Sequence, residues 1–317
     1  MPIENLKKVF WVFNRLNFSV IPSYYASGIL PSNYLKSSKL VFLEGHDPEK
    51  TLDNIDCEVL ILLKAFDNGL LNLAECAKKR GIKIISVFDD WYFENKERTE
   101  LNIPLANLSD HIIVKTTAAE TEIEKYFKIK TTVIPDPVRF YKNEIFNINN
   151  NNKLNLCWFG THSNHDTIIN EINKLNKNFL EINITILTNY IHELKKEINL
   201  LDTTNLNITI KEWNENSDKD IVQNEIIILP YPSDKRRLVK SSNRIVDSLN
   251  LGRFTILSPV PQFKKFKDFV YYGNILEGIL WFKENQLLAK EKTILGQQYV
   301  DKNYSLDVVS QKWRDLF

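Results

Sequence analysis

The sequence predicts an α/β protein made of two Rossmann-like, doubly wound domains that face a cleft. Three observations carry that expectation. Short runs that are apolar throughout recur along the chain, separated by amphipathic helical stretches. Strands that are apolar on both faces belong to a parallel sheet covered by helices. The alternation breaks once, in a polar segment, and then restarts. A length of 317 residues suits two domains of ordinary size.

The first half supplies six strand-like runs: KVFWVF (8–13), LVFLE (40–44), EVLILL (58–63), IKIISVF (82–88), HIIVK (111–115) and TTVIP (131–135). Between them, NGLLNLAECAKKR (68–80) spaces its apolar residues as a helix does and stops at Gly81. TTAAETEIEKYF (116–127) opens with threonine caps and glutamates, which suit a helix N-terminus. PDPVRFYKNEIFNINNNNK (135–153) has two prolines and an asparagine run, and reads as a linker. Six more runs follow: LNLCWFG (154–160), INITILT (182–188), NITIKEW (207–213), EIIILPY (225–231), RFTILS (253–258) and FVYYG (269–273). The C-terminal segments read as helices. The expected division is therefore 1–140, a linker over 141–153, and 154–304.

Composition excludes several classes. With 41 basic and 40 acidic residues, the net charge of +1 is far from the basic excess of a nucleic-acid protein. No apolar run reaches the ~18 residues of a membrane span. The start, MPIENLKKVFWVF, has charges where a signal peptide needs its apolar stretch, so a cytoplasmic protein is expected. Cys57, Cys76 and Cys157 form no CxxC pair and read as small hydrophobes rather than a disulfide framework or zinc site. No metal and no cofactor is expected.

In open parallel sheets, ligands bind beyond the carboxyl ends of the strands, which directs attention to the residues after each strand. After EIIILPY comes PSDKRRLVKSSNRIVDSLNLG. Ser241 or Ser242 can cap a helix whose apolar face is Ile245, Val246, Leu249 and Leu251, and Gly252 ends it. A helix N-terminus presents free amides and a partial positive charge. Lys240 and Arg244 add full charges there, beside Asn243. The arrangement suits a nucleotide diphosphate, with Asp247 placed for ribose hydroxyls. An ordinary capped surface helix with i, i+4 charges would read the same way.

The stretch KSSNRIVDSLNLGRFTILSPVPQF resembles the donor-nucleotide segment of GT-B glycosyltransferases, above all the family 4 type, whose pattern runs roughly E-x7-E-A-x-A-x-G-x-P-V-V. Asp247 matches the second glutamate and Gly252 the motif glycine, while Val239 falls where the first glutamate would be. TTVIPDPV resembles that family's linker entry, and LNLCWFG its first C-terminal-domain strand with the glycine loop that approaches the donor. An Arg and a Lys five residues apart often follow that loop; THSNHDTIINEINK lacks the spacing. The resemblance implies a nucleotide-sugar donor, a glycan or lipid-linked acceptor, and a last helix, 305–317, that crosses back to the first domain. It also implies the second matched acid, Asp247, as a ribose contact.

Other strand ends supply further candidates. In FGTHSNHD (159–166), Gly160 permits close backbone approach, while Thr161 and His162 can offer hydrogen bonds or, for His162, a base. In FDDWYF (88–93), Asp89 or Asp90 could take the acceptor proton, and Trp91 could stack on a sugar. The long stretch after the first strand offers Asn14, Arg15, Ser23 and Tyr24 for acceptor contact. Plain capping, turn and packing roles fit each of these residues as well.

The expectation is a glycosyltransferase of surface polysaccharide synthesis, acting in the cytoplasm or at the inner face of the membrane, with peripheral membrane contact allowed for. A GT-B-fold epimerase or phosphosugar transferase would share the phosphate site. A noncatalytic nucleotide- or sugar-binding protein of the periplasmic-binding shape is a third class, and the missing export signal argues against it. A dehydrogenase is disfavoured because no GxGxxG follows any strand.

Overall fold

The computed structural model describes residues 3–16, 21–64, 67–90, 96–148, 153–178, 181–232 and 239–317. By contact density the chain forms two compact units. One is Met1–Pro137 with Leu238–Ser241 and Tyr304–Phe317; the other is Val138–Arg237 with Ser242–Asn303.

The first unit holds six strands: β1 (Val9–Phe13), β2 (Ser38–Val41), β3 (Val59–Leu63), β4 (Lys83–Phe88), β5 (His111–Val114) and β6 (Thr131–Val133). They form one parallel sheet in the order β2-β1-β3-β4-β5-β6. The side-chain period of two divides β1 and β3 between two cores. Trp11, Phe13, Ile61 and Leu63 join the core on one face. Val12, Leu60 and Leu62 join Leu70, Leu73, Ala74 and Ala77 on the other. That is why these runs look apolar throughout. Among the described residues, five helices lie between these strands in sequence: α1 (residues 22–34, with a π turn at Tyr25–Ile29), α2 (Pro48–Asp53), α3 (Asn68–Lys79), α4 (Lys96–Leu108) and α5 (Thr117–Glu124). Asp67 caps α3 through the Leu70 amide at 2.8 Å, and Thr116 caps α5 through the Ala119 amide at 3.1 Å.

β2 begins and ends earlier than the hydrophobic run suggested. The His46 amide closes a turn on the Leu43 carbonyl at 3.0 Å, and Gly45 takes a φ of +89°, so the chain leaves the sheet before Glu44.

The second unit repeats the plan with β7 (Leu154–Phe159), β8 (Ile182–Thr188), β9 (Leu206–Glu212), β10 (Ile226–Leu229), β11 (Phe254–Leu257) and β12 (Tyr271–Tyr272). The order is β12-β11-β10-β7-β8-β9, again parallel. Its helices are α6 (His165–Leu175), α7 (Ile191–Ile198), α8 (Ser217–Ile221), α9 (Asn243–Asn250), α10 (Ile275–Glu284) and α11 (Gln286–Tyr304). The remaining helix, α12 (Leu306–Arg314), belongs to the first unit. There Trp313 meets Trp11 edge to face, ring centroids 4.7 Å apart, and Lys83 Nζ donates to the Leu316 carbonyl at 3.0 Å.

The polar stretch expected as a linker over 141–153 behaves differently. The change of unit falls between Pro137 and Val138, and the residues that follow are a strap on the second unit. Asn250 Nδ2 donates to the Phe140 carbonyl at 2.8 Å, the Asn143 amide to the Asn250 carbonyl at 3.2 Å, and the Phe146 amide to the Gly252 carbonyl at 3.0 Å. Gln297 Nε2 bridges the Asn143 and Asn250 carbonyls, each at 2.8 Å. Through residue 148 the strap forms no strand or helix, and part of its backbone is spent on these neighbours. A second passage was not foreseen. Leu238–Ser241 belongs to the first unit, where Val239 is buried with Val114 and Ile123 and its carbonyl accepts from Thr116 Oγ1 at 3.1 Å.

Gly252 shows why the strap needs a glycine beneath it. Its φ is +69°, and a Cβ there would lie 2.4 Å from the Glu144 carbonyl oxygen. The next residue, Arg253, is buried and held by backbone carbonyls: Nε on Leu251 at 2.9 Å, Nη1 on Val222 at 2.8 Å, and Nη2 on Glu144. Burial pushes its guanidinium down to about 10. Gly252→Ala combines an unfavourable φ with a backbone clash and should lower unfolding free energy by about 2 kcal/mol or more in urea titration. A loss below about 0.5 kcal/mol would show that the strap yields easily.

Acid should weaken the first unit through His111. Burial, and then the charge of Lys130, lower its imidazole to about 4, and Nε2 meets Thr132 Oγ1 at 2.8 Å. The unfolded chain, with its histidine near 6.5, therefore takes up the proton first. This contribution is fully present above about pH 6.5 and is lost as pH falls toward about 4. Thermal melting of His111→Asn across that window should show a shallower pH dependence than the parent chain.

Candidate functional site

The order of the second sheet locates its ligand edge. Counted within the unit, the strands run 6-5-4-1-2-3, the dinucleotide-binding order, and the direction of winding reverses between β7 and β10. The crevice at that reversal, beyond the carboxyl ends, is the expected binding place.

Arg244 stands at this point. It is the second residue of α9. Its Nη1 donates to the carbonyl of Phe159, the last residue of β7, at 3.2 Å. Its guanidinium lies over the ring of Tyr231, 4.5 Å from the centroid, just beyond β10. A Cβ on Gly160 would come 3.3 Å from Nη1 and 2.8 Å from the Trp158 ring, so only glycine lets the backbone sit this close. Arg244 is half-buried, and among the described residues no carboxylate pairs with it. A held cation without a counter-charge at the switch point is suited to an anion.

The caps differ from expectation. Ser242 takes the N-cap position of α9 and is buried, but its hydroxyl makes no cap hydrogen bond. Its ψ of 16° departs from the extended backbone that aims a capping oxygen at the first turn. Ser242 therefore leaves the first-turn amides of α9 uncapped by its side chain. Asn243 follows, half-buried. Lys240 and Ser241 fall in the first unit, whereas Ser242, Asn243, Arg244 and Asp247 fall in the second.

Asp247 is not displayed beside Arg244, although i, i+3 spacing puts them on one helical face. Its side chain is 1% exposed and serves the strap. Oδ1 accepts from the Arg139 amide at 3.1 Å, and Oδ2 accepts from Arg139 Nε at 2.7 Å and from Nη2. The Arg139 guanidinium in turn lies 5.5 Å from the ring centroids of both Phe140 and Trp213, and Trp213 stacks on Phe159 at 5.8 Å. The acid that the family resemblance assigns to ribose is thus buried against an arginine.

Thr161 and His162 follow Gly160 at the exposed end of β7. Thr161 Oγ1 meets Ser163 Oγ at 2.9 Å. His162 turns toward β8: its amide donates to Asn189 Oδ1 at 3.0 Å, and its ring lies 4.6 Å from that of Tyr190. With His165, Glu193 and Glu197 it lines a recess of about 380 Å³ that carries carboxylates rather than cations. That setting suits a hydroxyl-bearing group better than a phosphate.

In the first unit the winding reverses between β1 and β3. Three predicted residues lie at the carboxyl ends of this sheet. Tyr24, buried on α1, donates through its hydroxyl to Asn14 Oδ1. Asn14 Nδ2 donates to Asp67 Oδ2 at 2.8 Å and to the Lys64 carbonyl at 3.4 Å. Asp89, with a side chain 7% exposed, lies 3.3 Å from Lys64 Nζ. Burial, then the Asp89 charge, holds the Tyr24 phenol well above its ordinary value, so it remains a donor. Gly28 makes the arrangement fit, since a Cβ there would lie 2.4 Å from Leu63 Cδ1. Arg15 is exposed, Ser23 and Asp90 are half-buried, and Trp91 lies outside the described residues.

Sequence reasoning missed Lys64, Asp67, Tyr231 and Arg139. Lys64, Asp67 and Tyr231 follow β3 and β10 directly and could have been found by reading every strand end alike. Arg139 gave only a faint signal, a charge between apolar neighbours in PVRF. Among the described residues, no group of three or more His, Cys, Asp or Glu side chains is arranged to hold a metal ion, and no helix is long and apolar enough to cross a membrane.

No protein-family model and no curated protein sequence matches the chain. Solved structures do. A glycosyltransferase from Rickettsia africae superposes with a TM-score of 0.69 at 14% identity, covering 97% of each chain. HepE from Anabaena, crystallised with UDP and glucose, gives 0.71 at 10% identity over 98% of this chain and 99% of its own. The E. coli trehalose-6-phosphate structure bound with UDP-2-fluoro glucose gives 0.67 at 10% identity over 97% and 98%. At such identities the likeness concerns the fold, which is GT-B: two Rossmann-like α/β units, each with a six-stranded parallel sheet.

The buried Arg139–Asp247 pair allows a direct test. Removing one partner of such a pair strands a charge and typically costs about 3–5 kcal/mol. Asp247→Ala should approach that loss in chemical unfolding. Replacing both partners, as Arg139→Met with Asp247→Leu, should lose clearly less than the two single changes added together. Additive losses would mean that the pair is not coupled.

Proposed function

We propose that the chain is a glycosyltransferase, of a type close to family 4, that moves a sugar from a nucleoside-diphosphate sugar to a hydroxyl of a glycan or lipid-linked acceptor. The observation that carries this reading is Arg244: a cation fixed at the switch point of a Rossmann-ordered sheet, beside a glycine loop, with no carboxylate partner among the described residues. Support comes from fold neighbours whose structures hold UDP with glucose, or a UDP-sugar analogue.

In this reading the donor's diphosphate lies against Arg244, the Gly160 backbone and the first turn of α9. The acceptor oxygen attacks the anomeric carbon. The bond from that carbon to the phosphate oxygen breaks, and its electron pair leaves with the diphosphate. Arg244 gains interaction energy as negative charge develops there, which is the preorganised electrostatic help that accelerates such a step. The acceptor proton needs a carboxylate to take it, and in the first unit Asp89 is assigned that role, with Asn14 and Tyr24 as hydroxyl contacts. No metal is assigned a role. The ribose lies near the Arg139–Asp247 pair, with Asp247 acting through the arginine it holds.

The test is binding. Charge-assisted hydrogen bonds contribute about 1.5–3 kcal/mol each, so Arg244→Ala should weaken UDP by about one to two powers of ten. Uridine, which has no phosphate, should lose less. Isothermal titration with both ligands decides the point, after a thermal-shift screen of nucleotide sugars has identified the base. Equal losses for UDP and uridine would make Arg244 a structural residue and move the phosphate elsewhere.

A further inference from the structure

We infer that the recess between the carboxyl ends of β7 and β8 is a saccharide subsite. The rings of Tyr190 and His162 form its wall, and Glu193 and Glu197 accept hydrogen bonds from sugar hydroxyls. The recess belongs to the second unit and uses none of the groups placed against the diphosphate.

Tyr190 breaks several rules of residue choice at once. It occupies the N-cap position of α7, yet its side chain makes no cap hydrogen bond. Its φ of 59° and ψ of 48° lie in the left-handed region, which a bulky L residue seldom adopts. Glycine or asparagine would serve both needs better. Burial does not hold the residue either, since it is 57% exposed. Its ring lies 4.6 Å from that of His162, and the His162 amide donates to Asn189 Oδ1 at 3.0 Å. The loops after β7 and β8 are thus tied together, and each presents a ring.

The carboxylates are equally unrewarded by the fold. Glu193 and Glu197 stand one turn apart on α7, where like charges repel. Glu197 also lies in the last turn, where the helix dipole disfavours an acid. Among the described residues, neither carboxylate makes a hydrogen bond or a salt bridge. Both line the recess with the two rings.

These groups select a ligand class. Ionised carboxylates only accept hydrogen bonds, so a phosphate is repelled, while neighbouring sugar hydroxyls supply donors to both acids. The C–H face of a sugar ring packs on aromatic rings. Among the described residues no cluster is arranged for a metal ion. The volume of about 380 Å³ lies within the roughly 300–1,000 Å³ of small-molecule sites. Two sources supply such a ligand: the donor's own sugar, or a stretch of an acceptor glycan. The first rests on the donor reading above, because His162 follows two residues after Gly160; the second does not.

The experiment compares the parent chain with Tyr190→Gly and with the double variant Glu193→Ala, Glu197→Ala. Neither should lower the melting temperature, because glycine suits the backbone at 190 and alanine favours a helix. The probes are the nucleotide sugar selected by the thermal-shift screen, its nucleoside diphosphate, and neutral oligosaccharides of glucose, galactose, mannose and N-acetylglucosamine. Isothermal titration reads the nucleotides and saturation-transfer NMR the oligosaccharides. If the donor's sugar fills the recess, both variants weaken the nucleotide sugar by about tenfold or more and leave the diphosphate within about twofold. If a glycan fills it, an oligosaccharide signal seen with the parent disappears in both variants, and nucleotide-sugar affinity holds. Unchanged nucleotide-sugar affinity with no oligosaccharide signal from the parent overturns the inference. So does oligosaccharide binding that survives both variants, or a loss of binding that comes with a lowered melting temperature in both. A parent chain that binds no nucleoside diphosphate sinks the donor reading, and the oligosaccharide arm then decides this inference alone.

Discussion

The carboxylate of Asp247 constrains much of the second unit. It is almost fully removed from water, where a lone charge is not tolerated, so the chain must deliver donors to it. Arg139 delivers three N–H groups, one from its backbone and two from its side chain. Bringing Arg139 there lays the next residues along α9 and the start of β11. Their hydrogen bonds then fall to Asn250, Gly252, Arg253 and Gln297. Gly252 must be glycine because the Glu144 carbonyl passes where a Cβ would stand. A motif that reads as nucleotide chemistry is therefore also the anchor of a strap. The same strap orients α9 and with it Arg244.

The fold was legible because its strands are short, most of them apolar, and separated by amphipathic helices. All twelve strands lie where hydrophobic runs predicted them, within about two residues for most ends. β12 shrinks to two residues because it is an edge strand, paired on one side only. The strap was misread as a linker for a physical reason. Polar composition reports that a segment forms no periodic element; it does not report which neighbours satisfy its backbone. Asn143 looks like a loop residue in sequence and is a structural hydrogen-bonding partner of Asn250 in the molecule. The passage of Leu238–Ser241 through the first unit was invisible for a similar reason, since Leu238 and Val239 are only two apolar residues in a polar stretch.

The candidate site was legible by position and less so by role. Reading the residues after each strand found Asn14, Tyr24, Asp89, Gly160 and Arg244, because a parallel sheet directs every strand end to one edge. Roles depend on neighbours that spacing does not reveal. Asp247 and Arg244 are one turn apart on α9, yet the first binds Arg139 and the second reaches Phe159 and Tyr231. His162 follows the glycine loop, yet its ring joins Tyr190 over a recess lined by Glu193 and Glu197. Sequence supplied the inventory of charged groups. Which groups cancel one another was decided by packing.

That cancellation separates the chemistry of the two sheet edges. In the first unit, Lys64 faces Asp89, the Tyr24 hydroxyl is spent on Asn14, and Asp67 adds a second carboxylate, so the edge carries no excess of positive charge. A polar edge without excess positive charge has no net attraction for an anion, but its neutral donors and acceptors can pair with hydroxyls. In the second unit the Asp247 charge is consumed by Arg139, so the acid one turn along α9 does not neutralise Arg244. The buried pair thus does more than hold the strap. By occupying Asp247 it leaves Arg244 with positive charge to offer at the switch point, where a phosphate would meet an undivided cation. An arginine free to pair with an acid one turn away would offer much less.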